Sequence, residues 1–206
     1  MDTTRRVYKT HLEFDNIYRD VVNRTMLAEP TLKMIYELAI AAELIVGDVA
    51  EAGVWAGGCS YLLASTMRTK EIHLLDSWEG LPRLDNVDIS CYGAEFMPPG
   101  WGRCNPPYGY MKKFGDRIKF HKGWFHDTLN GISDKKFCLV HIDCDRYASV
   151  KECAEFFYPR MEKGGIIIFD DYTFIGTPGA IKAVDEFMKD KTFNTYFNGD
   201  GMVLVC

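Results

Sequence analysis

The sequence contains no long apolar run, and this absence argues against a membrane protein. In 206 residues the longest apolar stretch, residues 38–46, has nine residues and includes Glu43, whereas a membrane-spanning helix needs about 20. No apolar run follows the arginines of the N-terminal segment, so the sequence does not predict a signal peptide. Basic residues are not in excess either, because the formal net charge is −5. Nucleic acid is therefore disfavoured as a partner, since phosphate binding needs clustered Lys and Arg.

Cysteine pairs and two nucleotide-binding signatures are also missing. Seven cysteines are present, but none of them forms a CxxC pair. The odd count and the missing pairs disfavour a disulfide framework and a zinc site of the usual spacing. Reduced thiols are the better interpretation, and they predict a cytoplasmic protein. Neither GxGxxG nor GxxxxGK[ST] occurs, which weakens a dinucleotide or P-loop interpretation.

The hydrophobic pattern predicts helices and strands in alternation. Helices are predicted over residues 12–46, with a second one opening at Pro30, and over 59–67, 148–161 and 180–188. Strands are predicted over 49–54, 72–75, 117–122, 138–142 and 165–169, and as a hairpin over 192–206 with its turn at 198–201. This alternation indicates an α/β protein with a mostly parallel sheet of seven strands, helices on both faces and a C-terminal antiparallel hairpin.

The chain length predicts a single domain over residues 1–206, with an N-terminal helical region over 1–46. Residues 80–110 do not fit the alternation of helices and strands. They contain five of the eight prolines and five glycines, interleaved with aromatic residues. Such a segment is typical of a lid or substrate-binding loop, and its aromatic content favours packing against a ligand. The alternative is a surface insertion without a binding role.

A glycine-rich turn follows the first predicted strand. Residues 51–60 read EAGVWAGGCS, in which glycines allow a ligand close to the backbone and the next helix offers free N–H groups. Asp76 ends the second predicted strand, where an acid can bind a ribose diol, although it can also cap a turn with Ser77. Turn and acid together favour a ribose-containing cofactor. The missing phosphate-binding signatures favour S-adenosylmethionine over NAD.

Aspartates follow the fourth and fifth predicted strands. Asp143 and Asp145 come after the fourth strand, and Asp170 and Asp171 after the fifth. If these strands are neighbours, Asp143, Asp170 and Asp171 converge at one edge of the sheet, where their repulsion raises one pKa unless a cation intervenes. Oxygen ligands without His or Cys indicate Mg²⁺ or a similar ion. Structural alternatives exist, because Asp170 can cap a turn and Asp145 can cap the next helix.

The motifs in this order resemble the macrocin O-methyltransferase (TylF-type) family. The resemblance covers about residues 25–188 and is carried by EAGVWAGGCS, DSWEGLP, FHKGWFHDTL, LVHIDCDRY, FYPRMEKGGIIIFDDY and GAIKAVDEF. It implies the Rossmann-like class I methyltransferase fold with an N-terminal helical cap. It also implies Mg²⁺-dependent transfer of a methyl group from S-adenosylmethionine to a hydroxyl of a sugar or polyol-containing small molecule, as in natural-product tailoring, and a homo-oligomer.

The resemblance also implies roles for individual residues. Asp143, Asp170 and Asp171 are implied to bind Mg²⁺, and Asp145 is implied to be the general base. The implied cofactor-binding residues are Met26, Glu51, Gly53, Asp76, Ser77, Gly123, Trp124, Phe125, Asp127 and Asp143. The chain departs from the family pattern at Cys144, where Gly or Val is usual, and at Arg146, where Leu is usual. Arg146 places a positive charge beside the implied base, which can lower its pKa.

Three other functions stay open on the sequence alone. Aspartates with Mg²⁺ also suit a hydrolase or phosphotransferase that acts on a phosphate ester. A domain that binds a nucleotide without catalysis would contain a similar glycine turn. A methyltransferase with a small phenol or an amine as acceptor would contain the same motifs, because fold and cofactor do not determine the acceptor.

Overall fold

The computed structural model describes residues 3–191, 194–198 and 201–206, with side chains for residues 12–191 and 201–206. The helices of these segments are α1 (Thr3–Val21), α2 (Glu29–Ala42), α3 (Gly58–Thr66), α4 (Tyr108–Met111), α5 (Phe125–Thr128), α6 (Tyr147–Phe157) and α7 (Pro178–Met188). The strands are β1 (Asp48–Ala52), β2 (Ile72–Asp76), β3 (Ile118–Lys122), β4 (Phe137–Ile142), β5 (Met161–Phe169), β6 (Asn194–Asn198) and β7 (Gly201–Val205).

The strands form one sheet in the order β3-β2-β1-β4-β5-β7-β6. Strands β1 to β5 pair in parallel, whereas β7 is antiparallel to both β5 and β6. The prediction of a seven-stranded, mostly parallel sheet with a C-terminal antiparallel hairpin is therefore confirmed. The predicted hairpin began at residue 192 and turned at 198–201, and residues 192–193 and 199–200 lie outside the described residues.

Helices cover both faces of the sheet, as predicted. One buried cluster joins α1, α2 and α3 to one face, through strand residues such as Val49 and Leu139. A second cluster joins α6 and α7 to the other face, through residues such as Val140 and Ile167. Because both faces are covered, these strands need no polar alternation.

Most predicted boundaries lie close to the observed ones, but two regions differ. The helical region predicted over 12–46 begins at Thr3 and ends at Ala42, and the crossover between β4 and β5 also differs. The predicted helix over 148–161 ends at Phe157, a 3₁₀ turn spans Tyr158–Arg160, and β5 begins at Met161 rather than at residue 165. Pro159 explains the early end of the helix, because it has no backbone N–H with which to continue the helical hydrogen bonds. Among the described residues, each helix is too short or too polar to cross a bilayer.

Candidate active site

A cavity of about 620 Å³ opens at the carboxyl ends of β1, β2, β4 and β5. The strand order reverses between β1 and β4, and ligands of open α/β sheets bind at such a reversal. The predicted lid loop, residues 80–110, supplies one wall of this cavity through residues that include Phe96 and Trp101. The topology therefore brings the glycine turn, the aspartates and the loop to one place.

The glycine turn is held by backbone geometry and by Asp76. Gly53 has a φ of +91°, and a Cβ atom on it would lie 1.6 Å from the carbonyl oxygen of Asp143. No other residue fits there. Asp76 Oδ2 accepts the backbone N–H groups of Val54 at 2.8 Å and Trp55 at 2.9 Å, and Oδ1 accepts the N–H of Trp78 at 2.6 Å. The carboxylate thus joins the ends of β1 and β2 and also lines the cavity.

Backbone strain concentrates around the cavity. Among the described residues, five that are not glycine have a positive φ: Trp55, Trp78, Met97, Asp145 and Asp171. Four of the five line the cavity, and the fifth, Trp78, directly follows Ser77 in the wall. Left-handed conformations of such residues persist only where the surrounding structure imposes them, and they cluster at functional sites.

Four aspartates, called here the aspartate cluster, line the cavity beyond β4 and β5: Asp143, Asp145, Asp170 and Asp171. Carboxylate oxygens of Asp143, Asp145 and Asp171 lie within 4.8 Å of one another, and Asp145 and Asp171 share a hydrogen bond. Asp170 is oriented towards the sheet, where its Oδ1 is 3.9 Å from His141 Nε2. Asp145 rather than Asp170 therefore completes the tight group of three.

Burial and mutual repulsion raise the pKa values of this group. Burial, followed by the charge of Asp170, raises the pKa of Asp143 well above its usual range. Burial raises the pKa of Asp145 to about 6. Burial, with Asp145 and Asp143, also raises the pKa of Asp171 well above its usual range. Because buried carboxylates that lie close together repel one another, a bound cation would lower these pKa values and stabilise the ionised forms.

The donor set of the aspartate cluster fits a divalent cation. All its donors are carboxylate oxygens, which Mg²⁺ prefers over His or Cys ligands. The Oδ1 atom of Asp170 is buried and has no hydrogen-bond partner among the described residues. A buried carboxylate oxygen without a partner is costly, and positive charge near it, from a bound cation or from the His141 ring, would offset that cost.

A buried polar network lies behind the cavity, on the α3 side of the sheet. Ser60 Oγ donates to Glu51, whose Oε1 is 3.4 Å from His141 Nδ1, and Cys59 Sγ lies 3.5 Å from the same nitrogen. Burial alone would lower the pKa of His141, but Cys59, Asp170 and Glu51 together raise it well above its usual range. This network connects Glu51, the first residue of the glycine-rich segment, with Asp170 of the aspartate cluster.

The structure brings together nearly all of the predicted site residues. The cavity is lined by Met26, Glu51, Gly53, Asp76, Ser77, Gly123, Trp124 and Phe125 and by the aspartate cluster. Asp127 is the exception, because its side chain is 66% exposed and contacts His126 outside the cavity. His73 in β2 and His141 in β4 are core residues, buried at 2% and 0% exposure.

Several lining residues were not singled out by sequence. Trp55 lies inside the glycine motif, and Phe174 follows Asp171 by three positions, so both had a local signal. Arg24 had no such local signal, because its position depends on a tertiary contact. Its guanidinium stacks on the Tyr110 ring, 4.3 Å from the ring centroid. Among the lid aromatics, Tyr92 packs on Phe96 rather than on the cavity.

This fold and the position of its cavity define the class of Rossmann-like methyltransferases. The structure of the O-methyltransferase NovP superimposes with a TM-score of 0.75 at 23% identity, covering 88% of this chain and 81% of that one. An O-methyltransferase from Bacillus cereus in complex with SAH superimposes with a TM-score of 0.62 at 15% identity, covering 94% and 90% of the two chains. These likenesses confirm the predicted fold.

The sequence profile of the macrocin O-methyltransferase (TylF) family matches residues 18–199. The chain therefore belongs to that family, as the motifs indicated. A curated relative is the 8-demethyl-8-(2,3-dimethoxy-alpha-L-rhamnosyl)-tetracenomycin-C 4'-O-methyltransferase of Streptomyces olivaceus, which is 30% identical over 149 residues. That alignment covers 65% of this chain and 56% of the relative. The chain thus spans a little over half the length of this relative.

Proposed function

We propose that this chain is an S-adenosylmethionine-dependent, Mg²⁺-dependent O-methyltransferase that acts on a hydroxyl of a sugar or polyol-containing small molecule. One observation carries the proposal: the glycine turn with Asp76 and the aspartate cluster open into the same cavity. A methyl donor in one half would therefore face an acceptor in the other. Family membership favours this chemistry over phosphoester hydrolysis or nucleotide binding without catalysis.

The cofactor half is built from the ends of β1, β2 and β3. S-adenosylmethionine would supply an activated methyl group. Asp76 would hold the glycine turn in place through Val54 and Trp55 and bind the ribose diol with its remaining acceptor capacity. Gly123, Trp124 and Phe125, which follow β3, would enclose the adenine. Met26 would lie near the methionine end, and Gly53 permits the close approach of the cofactor to the backbone.

The acceptor half would contain the proton acceptor. Asp145 is proposed to take the proton from the hydroxyl that is methylated, because a carboxylate with a pKa of about 6 is mostly ionised at neutral pH yet basic enough to accept a proton. Asp143, Asp170 and Asp171 would hold Mg²⁺, and Asp170 would do so through its other carboxylate oxygen, because Oδ1 faces His141. The cation would add positive charge that favours deprotonation of the acceptor hydroxyl. The cavity walls would align the hydroxyl with the methyl group, and this alignment would supply the rest of the rate enhancement.

The acceptor class is supported by relatives rather than by geometry. The Streptomyces olivaceus relative is named for methylating a rhamnosyl tetracenomycin, which supports a sugar hydroxyl over a phenol or an amine. All seven cysteines are unpaired, which agrees with the proposed cytoplasmic location. A homo-oligomer is proposed from family membership alone.

Calorimetric titration of S-adenosylhomocysteine tests the proposal directly. Wild type, Asp76→Ala and Asp127→Ala would be titrated with and without Mg²⁺. We expect micromolar binding by wild type and by Asp127→Ala, whose side chain lies outside the cavity, and loss of binding by Asp76→Ala. Absence of binding by wild type under both conditions would reject the methyltransferase function, and release of phosphate from phosphate esters would be measured next.

A further inference from the structure

A second group of metal-ligating side chains lies outside the cavity, at the opposite end of the parallel strands. Asp48 is the first residue of β1, Glu71 directly precedes β2, and His73 is the second residue of β2. The cavity is lined by other residues, because it opens at the carboxyl ends of these strands. One oxygen of each carboxylate and one ring nitrogen of His73 lie within 4.8 Å of one another. These three residues are called here the amino-end cluster.

Distances within the amino-end cluster match those of a tetrahedral metal site. His73 Nε2 is 3.2 Å from Asp48 Oδ2 and 3.4 Å from Glu71 Oε1. Nitrogen and oxygen ligands bind Zn²⁺ at about 2.0–2.1 Å, and in a tetrahedron this bond length separates the ligand atoms by roughly 3.3–3.4 Å. The imidazole nitrogen therefore already has the spacing from both oxygens that one shared ion requires.

The buried imidazole of His73 is oriented for metal binding. The residue is 2% exposed, and its other ring nitrogen, Nδ1, lies 3.0 Å from Nε2 of His121 on β3. Metal-binding histidines use one nitrogen for the ion and donate a hydrogen bond from the other, which fixes the ring orientation. His121 Nε2 can accept the Nδ1 proton of His73. In that tautomer the Nε2 lone pair of His73 is free and faces the two carboxylates.

Lys135 already provides a positive charge beside these carboxylates. Its Nζ lies 2.9 Å from Glu71 Oε1 and 3.5 Å from Asp48 Oδ2, the same two oxygens that face His73. Lys119 pairs with the other oxygen of Glu71, at 3.6 Å. The Lys135 side chain is 36% exposed and both carboxylates are partly exposed. The ammonium can therefore move into solvent, and a dissolved ion can reach the oxygens.

We propose that the amino-end cluster is a metal site distinct from the aspartate cluster, and that it binds a transition-metal dication such as Zn²⁺ in place of the Lys135 ammonium. An imidazole ligand favours Zn²⁺ over Mg²⁺, which prefers oxygen ligands alone. The ion would join the start of β1 to the start of β2 and stabilise the sheet. The proposal does not depend on the proposed function, because its residues lie outside the cavity.

Calorimetric titration with Zn²⁺ tests this proposal, with Mg²⁺ in excess to compete at the aspartate cluster. We expect wild type to bind Zn²⁺ with micromolar affinity. Asp48→Asn removes a charged ligand and should weaken binding about tenfold or more. Lys135→Gln removes the competing ammonium and its two ion pairs, and it should tighten binding about three- to tenfold. A gain in affinity cannot result from misfolding, so Lys135→Gln keeps the test valid if other variants are unstable.

Two control variants separate this site from general effects of charge and from the aspartate cluster. Lys136→Gln makes the same substitution at the next residue, an exposed lysine whose Nζ contacts the carbonyl oxygen of Pro159. It changes the net charge equally and should leave the affinity for Zn²⁺ as in wild type. Asp171→Asn alters the aspartate cluster and should likewise leave this affinity unchanged.

NMR of protein with ¹⁵N-labelled histidine rings identifies the ligand atom. We expect Zn²⁺ to shift the Nε2 signal of His73, which is assigned by its loss in His73→Gln, and to leave the exposed ring of His126 unshifted. Absence of Zn²⁺ binding by wild type, equal affinities of wild type and Lys135→Gln, or an unshifted His73 signal would each overturn the proposal. None of these results would affect the methyltransferase function, which binding of S-adenosylhomocysteine tests separately.

Discussion

His141 Nε2 and Asp170 Oδ1 face each other at 3.9 Å, and neither atom has a hydrogen-bond partner among the described residues. His141 lies in the middle of the sheet, on β4, and its other ring nitrogen contacts Glu51. The imidazole is therefore the physical connection between the turn at β1 and the aspartate cluster after β5. Against the effect of burial, Cys59, Asp170 and Glu51 together raise its pKa, and removing the imidazole would leave both buried carboxylates without this partner.

Replacing His141 with leucine should destabilise the fold. We expect the free energy of unfolding to fall by about 1–3 kcal/mol, the cost of leaving buried polar partners unsatisfied. Chemical denaturation of wild type and variant would measure it. His126→Leu is the matched control, because that side chain is 68% exposed and surface substitutions usually change stability by less than about 0.5 kcal/mol. Equal stability of His141→Leu and wild type would show that the contacts of His141 with Glu51 and Asp170 contribute nothing to the free energy of unfolding.

Asp145→Asn should separate turnover from cofactor binding. The amide keeps the size of the side chain but cannot accept the acceptor proton, so we expect turnover to fall by about 10²–10⁴-fold, the usual contribution of a general base. The dissociation constant of S-adenosylhomocysteine should stay within about twofold, because Asp76 and the glycine turn are unchanged. Single-turnover kinetics and calorimetry would measure the two quantities. Normal turnover by this variant would remove Asp145 from the mechanism.

The convergence of the aspartates follows from sequence because parallel strands that are neighbours end at the same edge of a sheet. In the structure β4 and β5 pair with Ile142 opposite Phe169, so the residue after each strand, Asp143 or Asp170, begins the cluster. Strand assignment alone was enough for this part of the site. The same logic placed Asp76 beside the glycine turn, since β1 and β2 are paired.

Side-chain directions and loop contacts could not be predicted from the sequence. Asp170 was grouped with Asp143 and Asp171 by resemblance, yet its side chain is oriented towards His141, which depends on packing in the sheet. The contact between Arg146 and Met97 joins residues 49 positions apart, and no local pattern predicts such a pair. The loop composition indicated binding, but which of its aromatics face the cavity depended on contacts of this kind.

Stability in the absence of divalent cations should decrease as the pH rises. The pKa of Asp145 in the folded chain, about 6, lies above its reference value of 3.8. The folded state therefore binds more protons than the unfolded state between these two pH values, and the free energy of unfolding falls across that window. The raised pKa values of Asp143 and Asp171 act in the same direction. Each unit by which folding raises a pKa corresponds to at most about 1.4 kcal/mol in the free energy of unfolding.

Thermal unfolding in EDTA from pH 4 to pH 7.5, repeated with Mg²⁺, would measure this effect. We expect Mg²⁺ to raise Tm more at pH 7.5 than at pH 5, because the carboxylates that it neutralises are ionised only at the higher pH. Asp145→Asn should flatten the dependence of Tm on pH near pH 6. Asp127→Asn, which changes an exposed carboxylate, should leave this dependence as it is in wild type. A Tm gain from Mg²⁺ that is the same at both pH values would contradict the proposed cation site.

Arg146 should hold the lid loop against the segment that contains Asp145. Its Nη2 donates to the Met97 carbonyl, and the next residue, Tyr147, donates its backbone N–H to Asp88 Oδ1 at 2.8 Å. Consecutive residues after Asp145 therefore anchor the loop at two points. In Arg146→Leu the first anchor is lost, and the second remains because it uses a backbone N–H group.

Hydrogen exchange followed by mass spectrometry would detect the loss of this anchor. We expect the backbone amides of residues 95–97 and of Gly100 to exchange about tenfold faster or more in Arg146→Leu, since a hydrogen bond from a charged group contributes roughly 1.5–3 kcal/mol. Arg68→Leu is the control: it removes an exposed arginine that follows the C-terminal end of α3, and it should leave the exchange rates of these amides unchanged. The affinity for S-adenosylhomocysteine should also stay unchanged, whereas KM for the acceptor should rise, because Phe96 and Met97 line the cavity next to the aspartate cluster. Unchanged exchange in Arg146→Leu would show that packing, and not this hydrogen bond, orders the loop.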